Sequence, residues 1–387
     1  MCLRAPLIYA IPDETARIAH AAFPKGNLYV RMRETLGPIF TNPDFAALFP
    51  HRGQPAHDPA RLALVTILQF AEDLSDREAA DAVRARLDWK YLLALELDDP
   101  GFDASVLSEF RTRLLAHHAE HLLFETLLAT CRAHGLLKAH GRQRTDSTHV
   151  LAAIRALNRL QLVAETMRHT LNVLANVAPD WLRAQSHPDW VKRYERRPDQ
   201  GRLPASKEQQ TVLAETIGGD GRTLLRAIYS SEAPRWLRQV PAVDLMRRIW
   251  VQNYLQTPDT LQWRSSEDLP PATVFISSPY DTDAHLAKKG STCWVGYKAH
   301  FTETCEEDGP SLITHVATTT APIADGDVTS TIHAELKDKQ RLPTTHIVDS
   351  GYVDAELLVT SQQDYGVELL GPTRTNVRWQ ARAAEDF

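Results

Sequence analysis

Residues 344–352 read TTHIVDSGY, a short β-rich run that ends on the carboxylate of Asp349. The small turn pair Ser350-Gly351 and the aromatic Tyr352 follow, and a helix-like segment comes next. This order of strand, acid, turn and helix places Asp349 at the carboxyl end of a strand, the edge of an open sheet where ligands and metals bind. One such acid is common, so its significance depends on a second acid in the same setting.

That second acid lies far upstream, where residues 141–150 read GRQRTDSTHV and predict a strand carrying Asp146. If the two strands are neighbours in a mixed sheet, both carboxylates lie at one edge. Two such acids can bind divalent metal ions through hard oxygen ligands. A two-metal site stabilises the attacking and leaving oxygens of an in-line phosphoryl displacement. The pattern therefore indicates an RNase H-like core with Asp146 and Asp349 as catalytic metal ligands.

The composition is that of a globular protein. The chain has 387 residues, 43% of them hydrophobic, and two or three domains are expected. Its formal net charge of −6 gives no general signal for nucleic acid, so any DNA contact must come from local patches. No apolar run approaches the roughly 18 residues of a membrane span, and the cysteines form no CxxC pair. We therefore expect a cytoplasmic protein with no membrane partner.

The first part of the chain is predicted to be a compact helical domain. Residues 1–50 read as irregular, and Asp58-Pro59 then begins an apolar helix with an N-cap acid and a proline at the first helical position. The capping box at residues 75–78 opens a second helix, and further short helices follow. Such a succession permits a helix-turn-helix that reads a major groove, with a plain helical bundle as the alternative.

A largely helical insertion is predicted after the strand that carries Asp146. A long helix is expected from residue 152 to about residue 177. The segment Gly218-Gly219-Asp220-Gly221 reads as a turn, because it lacks the lysine and spacing of a phosphate loop. After residue 270 the apolar pattern alternates, which predicts strands at 273–276, 293–301, 312–318, 346–349 and 366–370.

Together these patterns predict a mixed α+β fold, in which an N-terminal all-helical domain precedes an RNase H-like α/β core that a helical insertion interrupts. The predicted boundaries are 1–140 for the helical, DNA-binding domain, 141–151 for the first core strand, 152–268 for the insertion and 269–387 for the rest of the core.

The chain resembles a DDE transposase of a bacterial insertion sequence. Residues 75–115, 144–148 and 296–352 carry the resemblance, and the VDSGY run at 348–352 is its most specific part. The resemblance implies metal-dependent cleavage at transposon ends and strand transfer into target DNA, with Asp146 and Asp349 as the first two members of an acidic triad that binds Mg²⁺ or Mn²⁺. It also implies DNA as the partner, a homodimer in a synaptic complex, and association with the nucleoid.

In this family the third acid is usually a glutamate on a helix well beyond the second aspartate. Glu368 lies on a predicted strand and Glu385 in a terminal tail, so neither has that setting. We therefore expect a C-terminally truncated copy whose catalysis is defective. Two alternatives stay open: a DNA-binding fragment that competes with an intact transposase, and a metal-dependent nuclease unrelated to transposition.

Basic side chains are the candidates for DNA contact, each with a solvated or structural role as its alternative. They are Arg111, Arg113, Arg142, Arg144, Lys192, Arg193, Lys298 and His300. Other polar groups are expected to have no site role. Asp325 and Asp327 read as a turn and helix N-cap, and Asp281 and Asp283 as loop residues. The run Ser147-Thr148-His149 lacks triad geometry, and the spacing of Cys293 and Cys305 around His300 fits no common zinc module.

Overall fold

The computed structural model describes residues 2–3, 9–50, 52–154, 157–198, 204, 206–257 and 260–372. Over these residues the protein is mixed α/β and about half helical. The chain divides into two compact units. The N-terminal unit comprises Met1–Lys138 with Asp308–Pro310, and the C-terminal unit comprises Ala139–Glu307 with Ser311–Phe387.

The N-terminal unit is helical. Its α-helices are α1 Asp13–Ala22, α2 Leu28–Leu36, α3 Pro59–Ala71, α4 Asp76–Ala85, α5 Leu87–Leu92, α6 Ser105–Ala116 and α7 Leu122–Ala133, with a 3-10 helix at Asn42–Leu48. The two predicted helix starts are confirmed: the Asp58 side chain accepts from the Ala60 and Arg61 amides, and Ser75 and Glu78 form the capping box. Helix α3 is buried along most of its length in the core of this unit.

The expectation that residues 1–50 are irregular is wrong, because α1 and α2 lie there. The Asn27 side chain caps α2 by accepting a hydrogen bond from the Val30 amide. Ala19 of α1 and Val30 of α2 pack with Tyr91 of α5 in a small buried cluster. These helices are short, with 10 and 9 residues, so tertiary packing stabilises them more than helix propensity does.

Helices also fill the first half of the C-terminal unit. They are α8 Arg159–Val177, α9 Pro179–Gln185, α10 Pro188–Tyr194, α11 Lys207–Ile228 and α12 Pro241–Asn253, with a 3-10 helix at Arg235–Gln239. The helix predicted from residue 152 begins later than expected, because Asn158 is the N-cap that accepts from the Gln161 amide. The preceding strand ends at Leu151, so the helix does not follow it directly.

The segment from Gly218 to Gly221 is not a turn, as predicted, but lies inside α11. A Cβ atom on Gly218 would lie 2.5 Å from a ring carbon of Tyr254, and one on Gly221 would lie 2.1 Å from the indole of Trp250. Trp250 also donates from its indole nitrogen to the Gly218 carbonyl, 3.1 Å away. These glycines therefore let α12 and the strand after it approach the α11 backbone closely, which explains glycine inside a helix without any turn.

The second half of the C-terminal unit holds a six-stranded mixed sheet. The strands of the chain are β1 Arg142–Leu151, β2 Tyr254–Gln256, β3 Leu261–Trp263, β4 His285–Lys289, β5 Thr292–Thr304, β6 Ile313–Thr320, β7 Thr345–Val348 and β8 Glu368–Leu370, of which β2 and β3 form a separate pair. The strand predicted at 273–276 is absent, since Ile276 instead bonds through its backbone to the Gln252 side chain. The other four predicted strands are confirmed as β5 to β8.

The sheet order is β4-β5-β1-β7-β8, with β6 also paired to β5. Strand β5 runs antiparallel to β4, β6 and β1, whereas β1, β7 and β8 are parallel. Helices α13 Gly326–Asp338 and α14 Ala355–Tyr365 connect β6 to β7 and β7 to β8. Apolar residues of α13, among them Ile332 and Leu336, pack with Val348 and Tyr352 in a core beside the parallel strands.

A row of buried polar groups crosses this core. His346 on β7 is fully buried, and its Nε2 lies 2.6 Å from the Thr145 hydroxyl of β1. Its Nδ1 lies 2.8 Å from Nε2 of His333 on α13. Burial lowers the pKa of His333 to about 4 and that of His346 to about 3, so both imidazoles are neutral in the folded state at neutral pH.

We expect these histidines to make the C-terminal unit sensitive to mild acid. Unfolded histidine has a pKa of 6.5, so between pH 6.5 and the folded-state values the unfolded chain binds more protons and stability falls as pH falls. Each such histidine costs up to about 1.4 kcal/mol per pH unit in that window. Thermal unfolding at pH 7 and pH 5 measures the loss. His333→Gln should reduce it, whereas His149→Gln, at an exposed position, should not; an unchanged unfolding temperature for the parent protein would contradict the prediction.

Candidate functional site

Asp146 and Asp349 are at matching positions on neighbouring parallel strands. Thr145 of β1 pairs with Val348 of β7, and the two aspartates are the next residues on each strand. Neighbouring strands lie about 4.8 Å apart. Gln143 and Thr145 face the core, which turns Asp146 to the opposite, solvent side of β1, and Asp349 is exposed as well. The geometry thus brings together the two acids that the sequence singles out.

Each of these carboxylates is held by one nearby backbone amide. Oδ1 of Asp146 accepts from the Ser147 amide at 2.7 Å, and Oδ1 of Asp349 accepts from the Gly351 amide at 2.7 Å. Within the described part of the chain neither carboxylate forms an ion pair with a lysine, arginine or histidine. The pair is therefore oriented by the backbone while its charge is left uncompensated.

A third carboxylate, Asp325, belongs to the same site. A Cβ on Gly351 would lie 2.9 Å from Oδ1 of Asp349 and 3.1 Å from Oδ2 of Asp325, so these two oxygens are no farther apart than the sum of those distances. Glycine at this position leaves room for both. Asp325 occupies the N-cap position of α13, as predicted, but its side chain makes no capping bond. It instead accepts from the Lys298 ammonium at 2.7 Å, and both side chains are about seven-eighths buried.

The sequence predicts only a turn or a helix N-cap at Asp325. An acid next to a glycine at a helix start has an ordinary capping explanation. Only the strand order, which brings the end of β6 and the loop after β7 to one edge, makes it a neighbour of Asp349. Its partner Lys298 was singled out in the sequence, although as a DNA contact rather than as the counter-ion of an acid.

Tyr352 anchors the loop that carries Asp349. It is fully buried, and its hydroxyl lies 2.6 Å from Nδ1 of His300, whose Nε2 lies 3.0 Å from the Thr319 hydroxyl. Burial raises the pKa of Tyr352, and the charges of Asp325, Asp146 and Asp349 raise it further. Burial also lowers the pKa of His300. The tyrosine therefore stays neutral beneath three carboxylates and positions the loop.

The predicted DNA-contact residues fall into two groups. Several are engaged in internal contacts: Arg111 pairs with Asp76, Arg113 donates to the Leu48 carbonyl, Arg144 pairs with Glu303, Arg193 pairs with Asp220, Lys298 pairs with Asp325, and His300 is fully buried. Arg142 and Lys192 are exposed. Contact with DNA stays a prediction for the whole set, and its most accessible members are Arg142 and Lys192.

The remaining candidates lie outside the acidic site. Cys293 is near the start of β5 and Cys305 just past its end, so the length of the strand separates the two thiols. The Asp281 carboxylate accepts from the Tyr297 hydroxyl at 2.7 Å, as a loop acid does. Glu368 lies on β8, as predicted, and bonds to the Thr345 hydroxyl. Glu385 lies outside the described residues.

No three His, Cys, Asp or Glu side chains in the described ranges are grouped so that they could hold one metal ion. The acidic site consequently offers two exposed aspartates and a third that Lys298 already neutralises. Separately, no helix in the described ranges is long and apolar enough to cross a bilayer.

Comparison with known proteins concerns the N-terminal unit. Residues 17–113 match the family model described as Transposase domain (DUF772). The match supports a transposase family. It covers less than half of the chain, and it implies DNA as a partner. No match was found among curated proteins or among solved structures.

Proposed function

We propose that this protein is a DDE-type transposase of a bacterial insertion sequence. The observation that carries the proposal is the register of β1 and β7, which makes Asp146, within β1, and Asp349, just past the end of β7, neighbours on adjacent parallel strands. The transposase match in the N-terminal unit supports it independently. Five of the six strands, in the order β6-β5-β1-β7-β8, have the arrangement expected of an RNase H-like core: β6, β5 and β1 are antiparallel, and β7 and β8 are parallel to β1. Strand β4 is an additional partner of β5, and α8 to α12 form an insertion after the first strand.

The acidic site fits a magnesium or manganese ion in its donor chemistry. Both ions prefer carboxylate oxygens and keep several waters, so two exposed carboxylates are a sufficient protein contribution for a weakly held ion. Asp146 and Asp349 would hold it. When bound, it would supply activation of a water or a 3′-hydroxyl and stabilisation of the leaving oxygen.

The residues around the acids keep them in place. The Ser147 and Gly351 amides each hold one oxygen of a carboxylate, which leaves the other oxygen free to act as a ligand. Tyr352 and His300 fix the loop from below. Lys298 neutralises Asp325, and this limits the repulsion that a third charge would add beside Asp349. Under this proposal the protein acts as a homodimer on nucleoid DNA, cleaving element ends and then joining them to a target.

A second candidate function is binding to element ends without cleavage. It is favoured by the lack, within the described ranges, of a three-residue metal cluster and by the position of Glu368 on a strand and not on a helix. A metal-dependent nuclease that cuts without preference for element ends is a third candidate, since it would share Asp146 and Asp349.

One assay separates these functions. The full chain is incubated with DNA that carries the ends of its own element, with Mg²⁺, with Mn²⁺ and with a chelator. Metal-dependent nicking at the ends followed by strand transfer would support the proposal, and would contradict the expectation that catalysis is defective. Binding without any nicking would favour the second function, and nicking that ignores the ends would favour the nuclease. If the full chain neither binds nor nicks this DNA, the proposal is overturned.

A further inference from the structure

A cleft of about 590 Å³ leads away from the acidic site. At one end it is lined by Ser147, Gly351 and Asp325, and at the other by Lys288 and Lys289. Between them the wall is mostly uncharged, with Pro322 and other apolar residues. The cleft therefore extends from Asp325 and from residues next to Asp146 and Asp349 to a pair of adjacent lysines.

These two lysines lie at the tip of the β4–β5 hairpin. Lys289 pairs with Thr292 across a two-residue turn, in which Gly290 adopts a φ of +60° that suits such turns. Lys288 and Lys289 are both exposed, and among the described residues neither forms an ion pair. Because a paired hairpin carries them, their backbone positions are set in advance of any binding.

The cleft carries a net positive charge at the end formed by the β4–β5 hairpin. Its lining holds one carboxylate, Asp325, whose charge Lys298 already compensates at 2.7 Å. Lys288 and Lys289 are left without a counter-charge in the lining. If one anionic group of an extended polyanion lies at the acidic site, the anionic groups that follow it along the cleft would meet the ammonium groups of Lys288 and Lys289.

We propose that the β4–β5 hairpin is a phosphate clamp: Lys288 and Lys289 bind the backbone of the DNA strand whose reacting phosphate lies at Asp146 and Asp349. The inference rests on the proposed function for the position of that phosphate. Lysines on phosphates position a strand without reading its sequence, so the clamp should act equally on unrelated DNA. It is a positioning element and takes no part in bond making.

The test is the salt dependence of DNA binding by the full chain, measured with a fluorescent duplex and a fluorescent single strand of arbitrary sequence. The log of the affinity falls linearly with the log of the salt concentration. Lys288→Ala/Lys289→Ala should reduce the magnitude of that slope by about two, roughly one for each lost phosphate contact. Lys288→Arg/Lys289→Arg keeps both charges and should keep the slope. The matched control is Lys207→Ala/Arg226→Ala, which removes two exposed charges from α11 and should also keep it.

Cleavage by the parent protein, scored on the element-end DNA, reports separately on the proposed function. If the parent cleaves and the double alanine variant keeps the parent slope, the clamp is refuted alone. If the slope falls by about two although the parent never cleaves, the clamp stands and the proposed catalysis fails. An equal fall in the α11 control would mean that general charge, not the hairpin, binds the DNA, and would also overturn the clamp.

Discussion

Asp146→Asn and Asp349→Asn are each expected to lower the rate of magnesium-dependent DNA cleavage about a thousandfold. A metal ion contributes several kcal/mol of charge stabilisation to phosphoryl transfer, and each 1.4 kcal/mol is a factor of ten in rate. Asparagine keeps the shape of the side chain, and its carbonyl oxygen can still accept from the Ser147 or Gly351 amide. The loss should therefore come from weaker metal binding and not from unfolding.

Three further measurements make this prediction specific. Single-turnover cleavage by the double variant should be hardly slower than by either single variant, because the two acids act as one unit. Calorimetric Mn²⁺ titration should show weaker binding for each variant. Asp327→Asn, which removes an exposed acid from the first turn of α13, is the matched control and should behave as the parent does. A variant that keeps half of the parent rate would exclude its aspartate from the site.

The sequence could predict this pair of acids because each follows a β-type run and is followed by small polar residues. That pattern is local. What brings Asp325 to the site is not local: Lys298 and Asp325 lie on either side of β6, and only the paired strands make them partners. Long-range pairing of this kind leaves no periodic trace in a single sequence. The same holds for His300, whose alternating strand pattern could not show that it lies buried against Tyr352.

The fold was predictable where local chemistry decides it and not where packing does. The Asp58 cap and the Ser75 box mark helix starts through bonds to their own backbone, so both helices follow from the sequence. For the glycines of α11, in contrast, the local sequence preference predicts the wrong structure. Glycine normally breaks a helix, and the run from Gly218 therefore indicates a turn. In the structure it is the contact with Trp250 and Tyr254 that makes glycine suitable there.

That contact predicts opposite stability effects for two glycines of one helix. Gly221→Ala should destabilise the C-terminal unit by about 1–3 kcal/mol, the usual cost of overpacking, because its Cβ would lie 2.1 to 2.6 Å from three indole atoms of Trp250. The buried indole cannot yield easily, since its nitrogen is bonded to the Gly218 carbonyl. Gly219→Ala, with nothing within 4 Å of the new Cβ, should instead stabilise by up to about 1 kcal/mol, the helix-propensity gain of alanine over glycine.

Urea unfolding followed by circular dichroism at 222 nm measures both changes on the same helix. The two substitutions add the same methyl group two residues apart, so propensity alone predicts equal gains. A fall in the midpoint for Gly221→Ala together with a rise for Gly219→Ala assigns the difference to packing against Trp250. Gly221→Ala/Trp250→Leu should lose less stability than the sum of the two single losses, because the smaller side chain makes room for the methyl group. Equal gains for both single variants would be the result of helix propensity alone, and would show that Trp250 of α12 does not approach the α11 backbone closely at Gly221.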